Sequence, residues 1–198
     1  MDNKTKYNPA IHHRKSIRLQ GYDYSQNGLY FITICTHNRE CLFGEIIDKK
    51  MILNDAGKIA DECWLKIPEH FPNAVLHEHV VMPNHVHGII ELANVAAAPR
   101  PDVGVQNFEP VPSPNFEPLP SPSPQNQFQH IIPRSIGSIV RGYKIGVTKF
   151  FRNNTDIYDV WQGNYHEHII RSEQSYWRIS EYIINNPDVW ENDKFYRR

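Results

Sequence analysis

The sequence predicts an α+β fold, an antiparallel sheet with helices packed on one face. Three observations carry it. Runs with strand character and runs with helical periodicity interleave along the chain; two of the strand runs meet across a tight Pro83-Asn84 turn, which makes them antiparallel neighbours; and each helical run carries a single apolar stripe.

The first element is "GLYFITICTH" (Gly28–His37). Phe31, Thr33 and Cys35 alternate with Tyr30, Ile32 and Ile34, so the run is apolar on both faces and reads as a central strand. In "MILNDAGKIADECWLKIPEHFP", Asn54 or Asp55 caps a helix. There Ile59, Cys63 and Ile67 recur at i, i+4, i+8 with Trp64 beside them, and Pro72 closes the segment. A hairpin over Ala74–Leu92 follows, "AVLHEHVVM" and "HVHGIIEL" joined at Pro83-Asn84.

From Ala93 to His130 the composition changes to Pro, Asn, Gln and Ser. The octet "NFEPVPSP" (Asn107–Pro114) is repeated as "NFEPLPSP" (Asn115–Pro122). Alternating prolines remove donors and fix φ, so a flexible, disordered Pro-rich insert is expected over 93–130, with Phe108 and Phe116 as candidate recognition anchors within the repeats. Ser135–Asn154 is then a helix: Ile136, Ile139, Val140 and Tyr143, continued by Val147, Phe150 and Phe151, form its apolar side. Val160–Ile170 is extended. Ser172 caps a last helix from Glu173 to about Asn186, stopped by Pro187. Strand, helix, strand, strand, helix, strand, helix is a ferredoxin-like order, a single domain over 1–198 carrying the insert.

Bulk properties narrow the class. At 198 residues one domain is expected. No apolar run approaches the ~18 residues of a membrane span and no signal-peptide core is visible, so no membrane partner is expected. Cys35, Cys41 and Cys63 form no CxxC pair, which suits reduced thiols in the cytoplasm. The net charge of −1 hides two basic clusters. Lys4, Lys6, Arg14, Lys15 and Arg18 face only Asp2 in the first twenty positions, and Arg134, Arg141, Lys144, Lys149 and Arg152 share an acid-free stretch. Local phosphate contact, and hence nucleic acid, is the chemistry such clusters serve.

One constellation carries reaction chemistry. His85 and His87 lie two apart on a strand and share a face, a position suited to a metal, to a phosphate or to neither. On the last helix, Tyr182 and Asn186 are four apart and share a stripe beside the core positions Tyr176, Ile179 and Ile183. Two imidazoles and an amide oxygen would bind a divalent cation without adding negative charge, leaving it a Lewis acid for a phosphate oxygen. A phenol with its ordinary pKa of about 10 would need such help to attack phosphorus.

These stretches resemble a known family. "PNHVHG" resembles the HUH motif (His, bulky hydrophobic, His) of single-tyrosine transposases, and "EYIINNP" the tyrosine helix of their REP-associated, insertion-sequence-type relatives. "YDYSQNGLYFITICTHNRECLFGEI", "VVMPNHVHGII" and "VWQGNYHEHIIR" are similar to stretches of that family in the same order, over roughly residues 12–92 and 131–190. The resemblance implies cleavage of single-stranded DNA near hairpins, leaving a 5′-phosphotyrosine and a free 3′-OH. It implies Tyr182 as nucleophile, His85, His87 and Asn186 as ligands of Mg²⁺ or Mn²⁺, and either a monomer or a dimer that exchanges the tyrosine helix. Arg141, Lys144, Lys149 and Arg152, with Arg14, Lys15 and Arg18, are the candidate DNA contacts.

Other histidines fall outside the motif. His77 and His79 share a strand face by alternation and read as surface; His166 and His168 precede the tyrosine helix, with no role assigned. The alternative reading is a hairpin-binding protein derived from a transposase that does not cut. A zinc hydrolase would need a placed carboxylate, and Glu91 lies at the far end of the His87 strand. An interaction module built on the Pro-rich repeat is the third reading.

Overall fold

The structure is a computed structural model that describes residues 22–93 and 132–196. The Pro-rich insert, apart from Ala93, and Arg14, Lys15 and Arg18 therefore lie outside the described residues. The α+β architecture expected from the sequence is the one observed. Its elements are β1 (Gly28–Cys35), β2 (Gly44–Ile47), β3 (Lys50–Leu53), α1 (Asp55–Leu65), the single turn α2 (Ile67–His70), β4 (Ala74–Met82), β5 (His85–Leu92), α3 (Ile136–Asn154), β6 (His166–Ile170) and α4 (Glu173–Ile184). A 3-10 segment, Pro187–Asn192, follows α4 and leads into the last described residues, 193–196.

Four strands form one sheet in the order β4-β5-β1-β6, every neighbour antiparallel. Strand β1 is central, as its two apolar faces require. Its Tyr30, Ile32 and Ile34 join Val86, Ile90 and Leu92 of β5 against α1 and α3, from which Ala60, Trp64, Ile139 and Val147 enter the same core. On the other face Ile89 and Ile170 pack with Ile179 and Ile183 of α4. Helices α1 and α3 thus share one face as expected, but α4 does not: Ile179 and Ile183 point it at the opposite face, so the sheet is covered on both sides.

Three further differences have local causes. The buried stripe of α1 is Ala56, Ala60 and Trp64, one position round from the expected Ile59 and Cys63, which are only half-buried. Trp64 wins the central place because Gly88 offers no side chain. A Cβ at Gly88 would stand 2.2 Å from the indole Cζ2. The hairpin β2–β3 was not legible in the sequence, since each strand is four residues with only alternate side chains part-buried, and its turn uses Asp48 and Lys49 at φ 47° and 63° where Asn-Gly is the usual signal. Finally β4 slips register between Leu76 and His79, so that two residues, His77 and Glu78, oppose Ile89. This β-bulge breaks the alternation.

Of Val160–Ile170, only His166–Ile170 joins the sheet; Trp161 adds a bridge to Thr36. Asn54 and Ser172 both cap as expected, each side-chain oxygen accepting the backbone N–H three residues on. No described helix is long and apolar enough to cross a membrane.

Gly88→Ala should therefore drive the Trp64 indole off the sheet. A loss of about 1–3 kcal/mol is expected, read as a lower denaturation midpoint at unchanged slope; an unchanged midpoint would show that Trp64 does not depend on this contact.

Candidate active site

Strand β5 delivers His85 and His87 to the face that α4 covers. His85 pairs across the sheet with Cys35 and Met82, His87 with Thr33 and Val80. Both imidazoles are fully buried, their ring centroids 4.4 Å apart. From α4, Tyr182 places its hydroxyl 3.2 Å from His87 Nε2. Asn186, just past the last turn and still in helical conformation, is fully buried beside it. The four residues singled out in the sequence are brought together.

The hydrogen bonds define which atoms hold lone pairs. Asn84 donates through Nδ2 to the carbonyls of Arg39 (3.1 Å) and Phe195 (2.8 Å), which fixes its amide orientation. Its Oδ1 then accepts from His85 Nδ1 at 2.9 Å, leaving His85 Nε2 unprotonated. Asn186 Nδ2 donates to Asp193 Oδ2 (3.0 Å), which leaves its Oδ1 as a bare acceptor. His85 Nε2 and Asn186 Oδ1 are both buried without a hydrogen-bond partner among the described residues. Two buried acceptors with no proton to share fit a cation. His87 Nδ1 meets Thr33 Oγ1 at 2.8 Å. A hydroxyl both donates and accepts, so it supports either His87 tautomer and permits Nε2 to serve as a third donor atom. The set is two imidazoles and an amide oxygen; no cluster of three or more His, Cys, Asp or Glu able to hold a metal exists among the described residues.

Burial keeps this set neutral. It pushes His85 down to about 4, against the opposing pull of Asp193, and burial with neighbouring His85 holds His87 well below the usual imidazole range. Burial and then the Asp193 carboxylate raise the Tyr182 phenol above its ordinary value. Its proton is held by Asp193 Oδ2, 3.0 Å away. Phe195 closes the site, its ring 4.7 Å from that of His85 and 5.7 Å from that of His87.

Asn84, Thr33, Asp193 and Phe195 are the members that sequence reasoning missed. Asn84 was visible only as turn chemistry, and Thr33 only as a β1 residue awaiting a register. Asp193 and Phe195 carried no signal at all.

The other candidates divide. Arg141, Lys149 and Arg152 are exposed along a cavity of about 630 Å³ on α3, across the sheet from the histidines. Lys144 lines it too but is engaged: Nζ donates to the carbonyls of Gln162 (2.7 Å) and Asn164 (3.2 Å), and burial lowers its ammonium to about 8. It is a tether for the 160–165 segment more than a free cation. His166 lies opposite Thr33 and His168 opposite Phe31, so both are exposed on the Tyr182 side at the β6 edge. His77 and His79 are neither surface nor on one face, because of the bulge. His77 Nε2 meets Glu91 Oε2 (3.0 Å) and Nδ1 meets the Tyr176 hydroxyl (3.2 Å), whereas His79 bonds Asp61 (2.8 Å) and stacks on Trp64. Tyr176 is only half-buried and donates to Glu78 (3.0 Å).

No family model matches the chain. An uncharacterized protein of Haemophilus influenzae (strain KW20 / Rd) is 50% identical over 192 residues, 97% of this chain and 98% of its own length. The chain belongs to one family with that protein. Among solved structures, a REP-associated tyrosine transposase bound to a REP hairpin is similar at a TM-score of 0.51 and 18% identity, over 87% of this chain and 73% of its own. That likeness is one of fold.

Asn84→Ala should strand the buried Phe195 carbonyl, the part-buried Arg39 carbonyl and the His85 Nδ1–H at once. A loss of about 2–4 kcal/mol is expected from the unpaired groups, measured by chemical denaturation. A cost under ~1 kcal/mol would show that Asn84 only shapes the turn.

Proposed function

We propose that this protein is a metal-dependent single-stranded DNA endonuclease and strand transferase, as in DNA transposition, cutting near hairpins through a 5′-phosphotyrosine on Tyr182. The observation that carries the reading is the Tyr182 hydroxyl at 3.2 Å from His87, within a set of buried acceptors that fit a divalent cation. The shared fold of a transposase solved with a REP hairpin supports the choice of DNA.

His85 Nε2, His87 Nε2 and Asn186 Oδ1 would hold Mg²⁺ or Mn²⁺. When bound, such an ion polarises a phosphate oxygen as a Lewis acid. The chain's own groups do the rest. Asn84 and Asp193 aim two of the donors, and Thr33 Oγ1 would accept a hydrogen bond from His87 Nδ1–H when Nε2 is engaged. Tyr182 Oη attacks phosphorus while its proton passes along the existing hydrogen bond to Asp193 Oδ2. An O–P bond forms to the tyrosine, the P–O3′ bond breaks, and the departing O3′ takes a proton from solvent water to become a free 3′-OH. The phosphotyrosine keeps the energy of the phosphodiester. A 3′-OH attacking it, its proton released to solvent and the Asp193 proton returned to the phenol, rejoins DNA without ATP.

Both imidazoles are buried under Phe195 and Trp190, so a phosphate would reach them only after this cover has shifted. That same cover favours the second reading, hairpin binding without cutting, and a covalent adduct separates the two. The exposed Arg141, Lys149 and Arg152 serve the DNA backbone on the α3 face; Arg14, Lys15 and Arg18, outside the described residues, are further DNA contacts in this reading.

Tyr182→Phe deletes one oxygen, so folding and hairpin binding should persist while the adduct disappears. Mass spectrometry after protease digestion should place the adduct of the parent protein on Tyr182, and EDTA, His85→Ala or His87→Ala should abolish it. An adduct on another tyrosine, or full cleavage in EDTA, overturns the assignment. Asp193→Asn should slow adduct formation by about 10²-fold or more; an unchanged or faster rate would take Asp193 out of the proton's path. Neutralising Arg141, Lys149 and Arg152 together should weaken hairpin binding and flatten its dependence on salt. Unchanged affinity and slope would place the DNA elsewhere.

A further inference from the structure

A second cavity, about 650 Å³, opens on the same sheet face between the first turns of α4 and the Glu91 end of β5. It is built differently from the α3 groove. Leu29 and Ile170 give it an apolar floor, and Tyr176 and Trp177 an aromatic wall. Trp177 is 57% exposed, a large apolar residue to leave in water. It is nonetheless held in place: Nε1 donates to Glu173 (3.3 Å), and the Tyr176 ring meets it edge-on at 5.1 Å. On the polar side His77 grips Glu91 through Oε2. Glu91 Oε1 has no hydrogen-bond partner among the described residues, and Arg171, at the rim, makes no ion pair among them.

We propose that this cavity is a subsite for one unpaired nucleobase of the DNA strand, a base presenting an exocyclic amino group as cytosine does at N4. The inference rests on the functional reading above for its substrate class. An ordered, exposed indole over an apolar floor is a stacking platform, and every base has a π-face to offer it. Glu91 and Glu173 repel a phosphate, so the base enters and the backbone stays outside with Arg171. A carboxylate at the 4-position edge of the stacked ring accepts from the cytosine N4 amino group but faces the O4 lone pairs of thymine, whose adjacent N3–H is the one donor left to it. Position fits as well. Glu91 lies ~13 Å from His87 along β5 and Tyr176 ~9 Å from Tyr182 along α4, so a strand leaving the tyrosine reaches the cavity within a few nucleotides.

The test reads binding alone, in EDTA, on full-length protein carrying Tyr182→Phe, with the oligonucleotides dC8 and dT8 as probes. Expected are about fivefold tighter binding of dC8 than of dT8 and about tenfold weaker binding of dC8 on adding Trp177→Ala. Adding Glu91→Gln, whose amide tolerates the thymine O4, should abolish the preference. Circular dichroism of each variant confirms the fold, which an exposed indole does not support. Equal affinity of the parent and Trp177→Ala for dC8 overturns the subsite, and a preference that survives Glu91→Gln overturns the role of the carboxylate. No cleavage is measured, so failure of the Tyr182 adduct and failure of this subsite are independent results.

Discussion

The antiparallel pairing of β1 with β5 sets Cys35 against His85 and Thr33 against His87, and every other part of the site is arranged around that register. A slip of one residue would turn both histidines into the α1–α3 core and Val86 and Gly88 out toward α4. The register is secured from both sides. On one face Gly88 receives Trp64, which no other residue of β5 would admit; on the other, the Thr33 hydroxyl bonds His87 directly. One strand therefore serves two purposes by alternation, the α1–α3 core on its even positions and, on the α4 side, His85 and His87 beside the apolar Ile89.

Neutral donors buried together make the electrostatics of the site one-sided. Burial holds His85 and His87 uncharged, and Asn186 adds a dipole in place of a charge. Among the described residues Asp193 is the single carboxylate bonded within this group, and its Oδ2 is shared between the Tyr182 hydroxyl and the Asn186 amide. One atom thus couples the nucleophile to the proposed ligand, so a shift of the segment bearing Asp193 moves both. The same segment carries Phe195, whose backbone carbonyl is held by Asn84 and whose ring lies against Arg39 and Lys194. Cover and chemistry are mechanically one piece.

The basic surface of α3 is separated from the histidines by the sheet but connected around its end. Lys144 donates to the Gln162 carbonyl, Gln162 donates its N–H to Cys35, and Cys35 pairs with His85. The link explains why a lysine that reads as a phosphate contact in sequence is spent on carbonyls in the structure. It fastens the approach to β6, and with it the exposed His166 and His168, to the end of the sheet where His85 sits.

Local rules determined a good deal. Period-two alternation over Gly28–Cys35 and His85–Leu92, the caps at Asn54 and Ser172, and the four-residue spacing of Tyr182 and Asn186 act within a few residues, and each stands in the structure as expected. So does the pairing of His85 with His87 on one face. Relations between distant segments were decided only by tertiary packing. Alternation placed His77 with His79, and a bulge parted them; periodicity gave α1 the stripe of Ile59 and Cys63, and an absent side chain on another strand handed it to Trp64. The amphipathic stripe of α4 said that it would cover a sheet, not which face. Asp193 and Asn84 became members of the site through hydrogen bonds that span eleven and over a hundred residues, to Tyr182 and to the Phe195 carbonyl. Spacing fixes which side chains of one element share a face, because backbone geometry repeats; which elements meet depends on volumes and unpaired polar groups that no single stretch of sequence contains.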